Sequence, residues 1–120
     1  MCRNNILLKV KSPHHSRSLE TCLRGGDRRV TVAKDLLDAM LASASAESRF
    51  KLLITDADRF DAVERHLVNH LRSKHPDLKP LYLSDFPFMA QWLSMCTPAE
   101  VPCDSPEIQS LQFEVDRCLL

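Results

Sequence analysis

The stretch Phe50 to Leu67 reads FKLLITDADRFDAVERHL, an apolar run that stops at Asp56-Ala57-Asp58 before an amphipathic pattern begins. A carboxylate at the end of a buried strand can accept a phosphoryl group or help hold a divalent cation, provided further acids and cations converge on it. Ser84 and Asp85 follow another apolar run, and Lys11 and Ser12 follow a third. In a parallel sheet all of these would gather at the rim formed by the strands' carboxyl ends. His66 and His70 stand four residues apart, with His75 beyond them, a spacing that can bring imidazoles to one zinc ion. Histidines on the outward flank of a helix are more often solvated, so no metal is expected there. The pair His14-His15 could suggest phosphotransfer, but phosphotransfer histidines normally belong to helical bundles and this pair opens a short α/β helix, so it reads as surface.

Composition narrows the field. The chain has 120 residues, 44% apolar and 27% charged, the size and balance of one compact domain spanning residues 1–120. Sixteen Lys and Arg offset sixteen Asp and Glu, so no net field favours nucleic acid or an anionic membrane. No apolar run approaches the length of a membrane span, and Met1 to Ser12 lacks the plan of a signal peptide, so a cytoplasmic setting is expected. Only two glycines occur, adjacent at Gly25-Gly26, which excludes a glycine-rich phosphate loop. Cys2, Cys22, Cys96, Cys103 and Cys118 form an odd, irregularly spaced set without a C-x-x-C pair. They are expected to be reduced thiols behaving as small core residues, with neither disulfide framework nor zinc knuckle.

The elements that must position these side chains follow from periodicity. Asn5 to Val10, Arg29 to Ala33, Phe50 to Thr55 and Leu78 to Ser84 are short apolar or β-branched runs, and Pro98 to Pro102 is a weaker fifth. Helical spacing appears over His14 to Arg24, Lys34 to Ala44, Asp58 to Lys74, Asp85 to Met95, and from Ser105-Pro106 to the chain end. Leu36, Leu37, Met40, Leu41 and Ala44 are expected on the core face of the second helix, and Phe60, Val63, Leu67, Val68 and Leu71 on that of the third. Strands alternating with helices imply an α/β fold: a single three-layer sandwich around a five-stranded parallel sheet.

Over essentially its whole length this order resembles a response-regulator receiver domain, the flavodoxin-like fold of the chemotaxis regulator. ILLKVKSP matches the first strand, FKLLITD the third strand ending in the phosphoacceptor aspartate, and HPDLKPLYLS the fourth with its terminal hydroxyl. VPCDSPEI is similar to the Lys-Pro loop before the last helix. The resemblance implies Asp56 as acceptor and Ser84 as the hydroxyl that contacts the phosphoryl group. It also exposes losses: the acidic pair that holds the cation is replaced by Val10 and Lys11, and the lysine before Pro102 by Val101. The chain therefore looks like a degenerate receiver, a pseudoreceiver without cofactor or metal, in which the Lys11 ammonium, with Asp58 assisting, would stand where the cation sat.

The function expected on this basis is a non-catalytic signal-transduction module that regulates a partner or an attached domain by protein contact. It would not be an enzyme. The rival reading is a phosphorylatable receiver that accepts phosphate on Asp56, and a third is an unrelated α/β domain that binds a small ligand at the same rim. Phe86, Phe88, Met89 and Trp92 form the densest aromatic cluster and are the expected partner-binding residues. The partner would be a protein, such as a sensor kinase, phosphotransfer or output domain, or a second copy in a homodimer.

Overall fold

The computed structural model describes residues 4–25, 28–45, 49–86, 103 and 105–119. Four strands are described: β1 (Asn4–Lys9), β2 (Arg28–Ala33), β3 (Phe50–Thr55) and β4 (Lys79–Tyr82). They alternate with α1 (Pro13–Leu23), α2 (Leu36–Ser45) and α3 (Ala62–Lys74), and the helix α4 (Pro106–Leu119) follows. The sheet runs in the order β2-β1-β3-β4 with every neighbouring pair parallel. The expected sheet of five strands is thus corrected to four among the described residues. The fifth, placed at Pro98 to Pro102, lies outside them.

Alternation along the central strands explains the layers. Ile6 and Leu8 face a cluster with Leu19, Cys22 and Leu23 of α1 and Ile108, Leu111 and Val115 of α4. Leu7 and Leu53 face the opposite cluster, with Ala39 of α2 and Leu67, Val68 and Leu71 of α3. Both faces of β1 and β3 are covered, which is why their sequences are continuously apolar rather than alternating. The result is an α/β arrangement with helices on both faces of a parallel sheet.

Side-chain caps set the helix starts, and these differ from the periodicity. Ser12 accepts the His15 N–H at 3.4 Å and begins α1 with Pro13 in its first turn. Asp35 Oδ1 accepts the Asp38 N–H at 2.8 Å at the start of α2. Asp58 Oδ1 closes a turn by accepting the Phe60 N–H at 2.9 Å, and Asp61 Oδ1 then caps α3 by accepting the Val63 and Glu64 N–H groups at 2.9 and 3.3 Å. The third helix therefore starts at Ala62, and Phe60 is left in the turn, 80% exposed. Val63 is also exposed, and the buried stripe is Glu64, Leu67, Val68 and Leu71.

On α2 the expected core face holds only in part: Leu36 and Met40 pack, partly buried, against the core. Ala39 and Ser43 are buried, whereas Leu37 and Leu41 are 65% and 59% exposed. Small side chains let α2 sit close to the carboxyl end of α3, where His75 reaches the Ser43 carbonyl.

After α1 the chain turns on Gly25, whose φ of 146° is a backbone that residues with a Cβ rarely adopt. Beyond β4 the expected strand ends early, because Leu83–Asp85 forms a 3-10 turn in which the Phe86 N–H donates to the Leu83 carbonyl at 3.1 Å. The rest of the aromatic-rich helix expected up to Met95 lies outside the described residues.

The expectation of reduced thiols is overturned for Cys22 and Cys103, while Cys2 and Cys96 lie outside the described residues. Cys22 of α1 and Cys103 are joined by a disulfide with Cα atoms 5.1 Å apart across 81 residues of sequence. Cysteine parity and spacing carry no information about such a pair, since its proximity is produced by the packing of α1 beside α4. Cys118 is a free, half-buried thiol.

Candidate functional site

Parallel register brings the strand ends level. Lys9 pairs with Ala33 on one side and Thr55 on the other, and Thr55 pairs with Tyr82. The residues that follow, Val10-Lys11, Asp56 to Asp58 and Leu83 to Asp85, therefore emerge along one rim, as the sequence implied. Asp56, Asp58, Ser84 and Lys11 are all exposed there.

The rim's contacts are specific. The Lys11 backbone N–H donates to Asp56 Oδ2 at 2.9 Å, and the Asp56 N–H donates to the Lys9 carbonyl at 3.3 Å. Asp56 is thereby stitched to the end of β1 on both sides of Val10, whose side chain is 2% exposed and belongs to the core. The expected ion pair between Asp56 and the Lys11 ammonium is replaced by this backbone bond. Position 11 supplies an amide whatever its side chain, and among the described residues Lys11 joins no ion pair.

The other acids at the corner are likewise engaged. Asp58 holds the turn at Phe60, Asp61 caps α3, and Asp85 forms an ion pair with Arg59. Arg59 also lies over the Tyr82 ring, 5.8 Å from its centroid. The hydrogen bond from Arg59 to Asp85, and then the charge of that carboxylate, hold the guanidinium pKa above its ordinary value. This pair ties the β3–α3 turn to the end of β4, next to Ser84. Among the described residues no group of three or more His, Cys, Asp or Glu side chains is arranged to hold a metal ion.

Below the rim sits a pair that sequence reasoning missed. Lys9 Nζ lies 3.0 Å from Glu64 Oε2, with the side chains only 13% and 3% exposed. Glu64 Oε1 is buried without a hydrogen-bond partner among the described residues. Signals for it existed: a lysine inside the apolar run ILLKV, and a glutamate three residues after the Asp61 cap, the spacing of a capping box. Neither signal tells that the two side chains meet.

The histidines separate into two kinds. His66 and His70 are exposed on α3. His75, the suggested third zinc ligand, is 1% exposed and has both ring nitrogens in use. Its Nδ1 accepts the Phe50 N–H at 2.8 Å, and its Nε2 lies 3.3 Å from the Ser43 carbonyl. The neutral tautomer protonated at Nε2 satisfies both contacts. Burial, with smaller contributions from Lys74 and Arg49, lowers the imidazole pKa below its ordinary 6.5. His75 is therefore a structural clamp between α2, β3 and α3.

Of the expected partner-binding cluster, Phe86 is half-buried and packs against the core beside α1 and α4. Phe88, Met89 and Trp92 lie outside the described residues. Comparison with known proteins found no matching family model, no matching curated protein and no matching solved structure.

Proposed function

We propose that the chain is a receiver-like signalling module that regulates a protein partner or an attached domain by contact, without magnesium-dependent phosphorylation of Asp56. The observation that carries this reading is the fate of the positions that would hold a cation. Val10 is sealed in the core, Lys11 offers only its N–H to Asp56, and the neighbouring acids Asp58, Asp61 and Asp85 are spent on turns, a cap and an ion pair. Phosphoryl transfer to an aspartate depends on a cation that offsets charge in the transition state. The parallel order β2-β1-β3-β4 supports the receiver-like part of the reading, since a flavodoxin-like doubly wound sheet has this order with a fifth strand beside β4.

The contact surface in this reading is the face that receivers commonly use, of which the last helix is the described part. Phe113 of α4, 68% exposed, supports that choice. A cytoplasmic location belongs to the same proposal, and no described helix is long and apolar enough to cross a membrane.

One observation favours the phosphorylatable alternative: Asp56 and Ser84 are both exposed at adjacent strand ends. An NMR titration with beryllofluoride and magnesium separates the two readings. The module reading expects amide resonances around Asp56 and Ser84 to stay in place. Saturable shifts at both would establish the acceptor instead.

A further inference from the structure

The geometry points to the Cys22–Cys103 disulfide as a reversible, thiol-exchangeable tether that sets how firmly α4 is held against α1. Three features carry this. First, Cys22 makes two specific ties beside the apolar packing of Leu19 and Leu23 with Ile108, Leu111 and Val115: its sulfur is bonded to Cys103, just ahead of α4, and its carbonyl accepts Gln112 Nε2–H at 2.8 Å. The exposed Arg28–Asp116 pair at 3.4 Å is a further polar tie of α4.

Second, the bond is asymmetric in access. Cys22 is 5% exposed within the core, while Cys103 is only half-buried. An incoming thiolate would attack the half-buried Cys103 sulfur, with Cys22 as the leaving group. Third, the sheet face that packs on α2 and α3 is built without either sulfur: the cluster there is Leu7, Phe50, Leu53 and their neighbours. Opening the bridge removes a constraint on α4 and leaves the rest of the core in place. The inference is independent of the receiver-like reading.

The chemistry balances with a cellular monothiol such as glutathione. Its thiolate attacks Cys103 Sγ, the S–S bond breaks, and Cys22 leaves as a thiolate that takes up a proton. A second glutathione thiolate attacks the mixed disulfide, which releases Cys103 as a thiolate and yields glutathione disulfide. The reverse sequence, driven by glutathione disulfide, restores the bridge.

The test uses the full chain carrying Cys118→Ser, so that the free thiol of α4 cannot scramble the bridge. Alkylation of the unreduced protein, followed by digestion and mass spectrometry, should recover a linked peptide containing Cys22 and Cys103. Glutathione should open the bond in the native protein. Amide exchange across residues 106–119 should then accelerate at least about tenfold while β1 and β3 keep their protection. Cys103→Ser should show the fast exchange in both buffers. The inference is overturned if both cysteines are alkylated without a linked peptide, if exchange in α4 is unchanged on reduction, or if the whole chain unfolds together.

Discussion

Asp56 and Lys11 are joined by a hydrogen bond from a backbone N–H to a carboxylate, 2.9 Å long, at the rim of the sheet. The donor is the main chain, so the identity of the side chain at position 11 does not enter. Lys11→Ala should leave urea stability within about 0.5 kcal/mol of the wild type. Asp56→Ala removes the acceptor and should cost about 1 kcal/mol. Denaturant titration of the two variants side by side checks the difference, and equal losses would return the contact to the lysine side chain.

The Lys9–Glu64 pair makes a stronger claim, because both side chains are nearly withdrawn from water. Glu64→Ala should destabilise by about 3 kcal/mol, since it strands a buried ammonium. Replacing both partners with apolar residues of similar size, Lys9→Met with Glu64→Leu, should recover most of that loss. A double-mutant cycle measures the coupling, and a double variant no better than Glu64→Ala would show that the pair is not what matters there.

His75 gives the fold a defined acid dependence. Its native pKa is depressed, so the unfolded chain binds a proton more readily as pH falls through 6.5. The stability linked to neutral His75 is fully present above pH 6.5 and is lost progressively as pH falls toward the native value. Protonation would also break the Phe50 N–H bond to Nδ1. His75→Gln should be less stable at neutral pH and should lose most of this slope, as read from thermal melts across the acid range.

Among the acids of the TDADRFD stretch, Asp61 is the one that caps a helix. It caps α3 through two amide groups, so Asp61→Ala should cost about 1 kcal/mol. Asp61→Asn retains the cap and should lie close to the wild type. Chemical denaturation checks both.

Periodicity and composition were enough for the alternation of strand and helix, for a parallel sheet, and for the rim that gathers Lys11, Asp56, Asp58 and Ser84. These follow from local rules: a continuous apolar run marks a strand covered on both faces, and connections through helices make neighbouring strands parallel. Periodicity failed where a single cap decided the outcome, and in part on α2. Leu36 and Met40 pack against the core as expected, but Leu37 and Leu41 of the same stripe are exposed, and Ala39 and Ser43, where α2 approaches His75, are buried.

What the sequence by itself determined is the identity of the groups: an aspartate at a strand end, no acidic partners before it, and cysteines with no readable pairing. Tertiary structure alone decided whom each group meets. The amide of Lys11 rather than its ammonium holds Asp56, Glu64 crosses 55 residues to reach Lys9, and Cys22 finds Cys103 across 81. These partners are set by strand register and helix packing over long sequence separations, where residue type fixes what a group can bond and geometry alone fixes which group is within reach.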